Sequence, residues 1–302
     1  MPKYRHLFIV LALLAAGTGY AQTTASDKTA ESDQLKLAAL EALVAAPGER
    51  ALPIVAKVIA GNNSDEVKSR ALFVLSQIDA PEARAQLLEV AQHGDERLRP
   101  EAVRMIGIGG DPDALSSLAG LYASGDASMR HAVLQAYLIA DDSRAVYELA
   151  TNAKSPDEIE AAVRTLGAMG AKDELRKLRE SGGVSDALIQ ALAVSGDADS
   201  LHEIAMDDSD PDRQVRAITA LGIVGGGQVD ASLVDIYHAA ATDAVRDAAL
   251  QGLIVAGGDE QILALYRASN DDGEKRRLLH ALSATGSDLM LQVIDAALAE
   301  DQ

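Results

Sequence analysis

The stretch "VRAITALGIVGGGQVDASLVDIY" runs from Val215 to Tyr237, and "VRDAALQGLIVAGGDEQILALY" runs from Val245 to Tyr266. Both begin on Val-Arg and continue through an Ala-rich segment with apolar residues at helical spacing, such as Val245, Ala248, Ala249, Gly252 and Leu253. A glycine run then breaks the pattern, and a second apolar segment ends on tyrosine. Self-similarity of this kind decides the architecture before any motif does.

Further copies begin at Val67, Leu98, Met129, Ile159, Val184 and Lys275, so the starts are spaced by 31, 31, 30, 25, 31, 30 and 30 residues. Each unit predicts the same plan. Asp65, Asp95, Asp126, Asp212 and Asp243 precede or open the first helix, where a carboxylate can cap free amides and complement the helix dipole. Gly-Gly-Asp or a similar turn ends that helix. The second helix carries an apolar pair three residues apart: Leu115 and Leu118, Val146 and Leu149, Leu175 and Leu178, Leu201 and Ile204, Leu233 and Ile236, Ile262 and Leu265. Two short helices bury little alone, so neighbouring units must stack.

The Val-Arg start, Ala-rich helix, Gly-Gly-Asp turn and second helix, over about residues 65 to 297, resemble the HEAT-like repeats first described in phycobilisome lyases. That resemblance implies an all-α, right-handed α-solenoid of eight to nine two-helix repeats, an ARM-type superhelix whose second helices line the concave side. The expected organisation is a signal peptide at 1–21, a polar leader at 22–33, a divergent capping helix pair at 34–64 and the repeat array at 65–302.

The signal-peptide expectation rests on Lys3, Arg5 and His6 before the apolar run Leu7 to Ala16, then small residues around a cleavage point after Ala21. The expected destination is the periplasm, with the extracellular medium as the alternative. There is no cysteine, hence no disulfide and no thiolate metal site. With 27 Lys and Arg against 46 Asp and Glu, the formal charge is −19, or −21 once the two cations of the expected signal peptide are removed. Such a charge opposes binding to nucleic acid and to anionic lipid. A basic peptide or a basic protein face is the partner it favours.

Candidate sites are few. Tyr122, Tyr237 and Tyr266 directly follow the apolar residue of a second helix. Each is read first as a filler between repeats, and then as a candidate partner contact on the concave side. Asp208, Asp210 and Asp212 match alternate positions of a calcium loop, but Arg213 stands where the sharp-turn glycine belongs and Thr219 where the bidentate glutamate belongs. The loop reads as a seam between units.

His202-Glu203 is a single copy of the His-Glu pairs that deoxyhypusine hydroxylase, a similar HEAT-like solenoid, uses for iron, and Met206 occupies the second His position of a zinc-protease motif. His93, His131, His238 and His280 share no ligand spacing. The glycines at 107–110 and 225–227 match no phosphate loop or dinucleotide fingerprint and read as turns. Arg70, Arg99, Arg130, Arg216 and Arg246 are expected as rungs between repeats.

The functional expectation is a non-catalytic protein-interaction scaffold of the bacterial cell envelope, with no cofactor. The alternatives are an enzyme-maturation or lyase-like accessory protein with a concave-face site, and a calcium-dependent binding module.

Overall fold

The computed structural model describes residues 31–299. The expected signal peptide and residues 22–30 of the expected leader lie outside the described residues. Residues 31–33, assigned by sequence to the leader, form the first turn of a helix.

The described residues are helical throughout, without a strand, and divide into two units between Ala140 and Asp141. The first unit holds α1 (31–43), α2 (Gly48–Ala60), α3 (Asp65–Ser76), α4 (Pro81–His93), α5 (Leu98–Gly109), α6 (Pro112–Ser116), α7 (Leu118–Ser124) and α8 (Ala127–Ala140). The second holds α9 (Ser143–Thr151), α10 (Pro156–Met169), α11 (Lys172–Gly182), α12 (Asp186–Ser195), α13 (Ala198–Ala205) and α14 (Pro211–Val224). It continues with α15 (Gly227–Ala239), α16 (Asp243–Ala256), α17 (Asp259–Ala268), α18 (Asp272–Thr285) and α19 (Leu289–Ala299). Within each unit the helices pack in consecutive pairs and each first helix also packs on the next first helix, as in a HEAT-like solenoid.

Helix starts follow the composition of the unit boundaries, with a correction of one or two residues. The capping oxygens belong to Ser64, Asp210 and Thr242, which accept from the amides of Val67, Arg213 and Val245. Asp65, Asp212 and Asp243 fall inside the first turn, where they complement the dipole instead. Asp126 does cap, accepting from Met129 N at 2.8 Å. Asp95 lies before α5 and pairs with Lys68 at 3.3 Å. At the other end, Asp141 closes α8 at φ 56, the left-handed conformation that glycine supplies after α5, α10, α12 and α16. A short polar side chain tolerates that region better than most.

The core is built from the first-helix stripe and the second-helix pairs. Leu201, Leu233 and Ile262 are fully buried, and their partners Ile204, Ile236 and Leu265 nearly so. Leu178 is half-buried, so its pair is the exception. First helices approach one another through small residues. A β-carbon on Gly107 would lie 2.6 Å from the Cα of Ala136, and one on Gly167 would lie 2.8 Å from the Cα of Ala191. Gly107 is thus no turn residue: it sits inside α5 because only a hydrogen fits against α8.

Candidate functional site

The three tyrosines do not form a surface. Tyr122 and Tyr237 are 5% and 2% exposed, so both rings lie inside the array. The hydroxyl of Tyr237 donates to Glu274 Oε1 at 3.0 Å, and burial together with that carboxylate pushes its pKa up to about 12. Tyr266 is half-buried, with the Lys275 ammonium 5.7 Å from its ring centre. Tyr122 and Tyr237 present no open ring to a partner, whereas Tyr266 remains partly exposed.

The acidic loop before α14 is organised around its own backbone. Asp210 Oδ1 accepts from Arg213 N at 3.0 Å and its Oδ2 from the Arg213 guanidinium at 2.9 Å. Asp207 Oδ1 accepts from Ser209 N at 3.1 Å. Hydrogen bonds from Ser209 hold Asp207, and the Arg213 amide holds Asp210, below the usual carboxylate range. Asp208, Asp210 and Asp212 do not converge: among the described residues, no group of three His, Asp or Glu could hold a metal ion. His202 and Glu203 also diverge, since Glu203 pairs with Arg179 at 2.6 Å while His202 Nδ1 is buried and unbonded.

The expected arginine ladder divides into two devices. Arg70 pairs with Glu41 at 3.3 Å and Arg216 with Asp186 at 2.8 Å, each joining successive first helices. Arg97 with Asp65, and Arg277 with Asp243, add rungs of the same kind at 2.9 and 3.0 Å. Arg99, Arg130 and Arg246 reach a different kind of acceptor. They donate to the carbonyls of Ala91, Gly125 and Ala240, which close the preceding second helix, and Gln214 does the same to Ala205. A terminal carbonyl without an intrahelical partner explains the recurrence of a long donor at this place.

What the sequence reading missed is apolar and exposed. The last turns of the first helices carry Ile108 and Ile139 in the first unit, and Val194, Ile223 and Val255 in the second. Val194 and Ile223 are each 70% exposed. They stand on the two walls of an open groove of about 550 Å³ between α12 and α14, floored by Ile189, Val215 and Ala220. The ion pair Asp186–Arg216 closes one end. The available signal was an aliphatic residue just before the terminating glycine, as in "AVSG" and "GIVG", beyond what one buried stripe requires.

Charge is as uneven as apolar exposure. Residues 1–140 hold 13 Lys and Arg against 16 Asp and Glu, and residues 141–302 hold 14 against 30. The second unit therefore carries −16 of the formal −19. No helix among the described residues is long and apolar enough to cross a membrane.

The family described as HEAT repeats matches residues 52–137. The later pairs repeat the same plan of cap, first helix, left-handed closure and second helix. Residues 52–137 are thus similar to HEAT repeats, and the rest of the described chain shares their two-helix plan. Comparison with curated proteins gives no match. Among solved structures, human deoxyhypusine hydroxylase in complex with glycerol is 21% identical, with 82% of this chain and 90% of that chain covered and a TM-score of 0.35. The complex of CpcE and CpcF of phycocyanin lyase from Nostoc is 19% identical, covering 76% and 93%, with a TM-score of 0.33.

Proposed function

We propose that this protein is a non-catalytic interaction scaffold of the bacterial cell envelope that holds another protein against its repeat array. The observation that carries this reading is the groove between α12 and α14, where two aliphatic side chains stand 70% exposed over an apolar floor. A monomeric protein gains nothing by leaving such side chains in water, and exposed apolar clusters mark interaction sites. Stacked repeats extend a surface by addition of like units, which suits many modest contacts with one client.

Export supports the envelope assignment through the first residues alone: Lys3, Arg5 and His6, the apolar run from Leu7 to Ala16, and the small residues at Gly19 and Ala21. The destination is the periplasm. The net charge of the second unit favours a basic client, since complementary fields speed encounter and disfavour acidic competitors.

The test is a pull-down with residues 22–302 from envelope extract at low and high salt, read by mass spectrometry. One reproducible, salt-sensitive protein, absent from a matched control resin, is the expected result. A blank at both salt levels would overturn the scaffold reading.

A further inference from the structure

Resting on the scaffold reading, we propose that the groove between α12 and α14 docks one particular kind of segment: a stretch of a partner protein with two aliphatic anchors and a flanking lysine or arginine. The groove supplies the first half of that description. From Asp186 to Val194 its α12 wall spans nine residues, about 12 Å at the helical rise, which matches two turns of a docked helix. Val194 and Ile223 flank the mouth at one end, above the floor of Ile189, Val215 and Ala220.

The other end supplies the cationic half. Asp186 and Arg216 neutralise each other at 2.8 Å. Asp212, exposed in the first turn of α14, precedes Arg216 by four residues and so lies one turn beyond it on the same face. A cation laid over that end meets two carboxylates and one guanidinium. The acidic loop precedes α14, and there Asp207 and Asp210 share the single guanidinium of Arg213 at 3.9 and 2.9 Å, which leaves the trio net negative. The loop that resembles a calcium site thus acts as the charged rim of an apolar groove.

Charge also selects among occupants. A second copy of this chain would bring its own formal −19 and the same acidic rim, so like charges would face each other. An anionic lipid surface is repelled for the same reason. A segment with aliphatic and cationic residues at helical spacing satisfies both ends at once, in the manner of helix-in-groove recognition.

The test uses the purified chain and three labelled peptides read by fluorescence anisotropy: a short Leu/Lys amphipathic helix, a Leu/Glu helix with the same apolar face, and a Ser/Lys peptide of the same charge. The Leu/Lys helix is expected to bind tightest. The double variant Val194→Asp/Ile223→Asp is expected to weaken it at least about tenfold, as loss of two interface anchors does. Those substitutions add negative charge, so simple electrostatic attraction would tighten instead; a loss isolates the apolar contact.

Val194→Ser/Ile223→Ser, which adds no charge, guards against misfolding and should weaken binding in the same direction. Unchanged or tighter binding by both variants overturns the proposal, as does equal affinity for the Leu/Glu helix. Self-association of the wild-type chain that the variants abolish would assign the groove to a second copy and overturn it as well. The scaffold reading fails separately: an envelope protein captured equally by wild type and double variant keeps the scaffold and removes the groove.

Discussion

Gly222 on α14 and Gly252 on α16 meet backbone to backbone: a β-carbon on Gly222 would lie 2.8 Å from the Cα of Gly252 and 3.0 Å from its carbonyl oxygen. The contact sits where successive first helices cross, so it sets how closely the two repeats stack. Alanine would improve helix propensity by up to about 1 kcal/mol. It would also force two backbones apart, which costs about 1–3 kcal/mol in a packed interior. Gly222→Ala is therefore expected to lower the denaturation midpoint, whereas Gly120→Ala, with open space around its β-carbon, is expected to be neutral or stabilising. Urea titrations of both variants check this, and equal behaviour of the two would refute the close-approach argument.

Arg176 holds Asp197, which is only 1% exposed, through paired bonds of 2.7 and 2.9 Å. Asp197 also accepts from the Ser200 hydroxyl at 2.8 Å. Burial alone would raise the Asp197 pKa, but the Arg176 and Ser200 hydrogen bonds overcome it and hold the carboxyl below its ordinary value. Arg176→Ala leaves a buried charge with Ser200 alone, at an expected cost of about 2–3 kcal/mol. Because the folded pKa is lowered, this stabilisation is present above the unfolded value of about 3.9 and disappears as pH falls through the folded one. The difference in Tm between wild type and variant should shrink on acidification; a constant difference down to the acid transition would contradict the pairing.

How much of this was legible beforehand depends on what each residue's environment requires. The pair Leu201 and Ile204 could be read from spacing because a helix with one buried stripe needs it, and the same logic located nearly every second helix. Gly107 could not, since a glycine near Gly109 and Gly110 reads as a turn until a facing Ala136 backbone is seen. Tyr122 and Tyr237 followed their helix's last apolar residue, yet whether a ring there is buried is decided by the next repeat. Val194 and Ile223 lay within helices whose apolar content already met the core's demand, and their exposure depends on the gap between α12 and α14 rather than on either helix.

Asp230 shows the opposite balance to Asp197. It is 8% exposed on α15, its Oδ1 is buried without a hydrogen-bond partner, and Asp259 lies close enough to repel its charge. Burial first, and Asp259 second, raise its pKa. A carboxyl whose folded pKa is raised binds its proton more tightly in the native state, so this site favours folding at low pH and opposes it once pH exceeds the folded value. Asp230→Asn removes the charge and its repulsion by Asp259 while keeping the shape, and is expected to raise stability at neutral pH by about 1 kcal/mol, the scale of two like charges a few ångströms apart near water. The gain should vanish below the ordinary carboxylate pKa of about 3.9, where wild-type Asp230 is also neutral. Thermal melts at both pH values decide it, and a gain of the same size at low pH would assign the effect to packing.

Tyr237 makes the matching statement at alkaline pH. Its phenol donates to Glu274, whose other oxygen accepts from Ser269 at 2.5 Å, so an ionised phenolate would face a carboxylate inside the seam between α15 and α18. With the folded pKa pushed up to about 12 and an unfolded value near 10, the stabilisation is complete below pH 10 and lost as pH rises toward 12. Tyr237→Phe removes one hydrogen bond, at a cost of about 1 kcal/mol at neutral pH. It also removes the titrating proton, so its Tm should fall less than that of wild type across the alkaline window, and the two curves should converge. Parallel curves would mean that the hydroxyl titrates as it does in the unfolded chain, against the part-buried bond to Glu274.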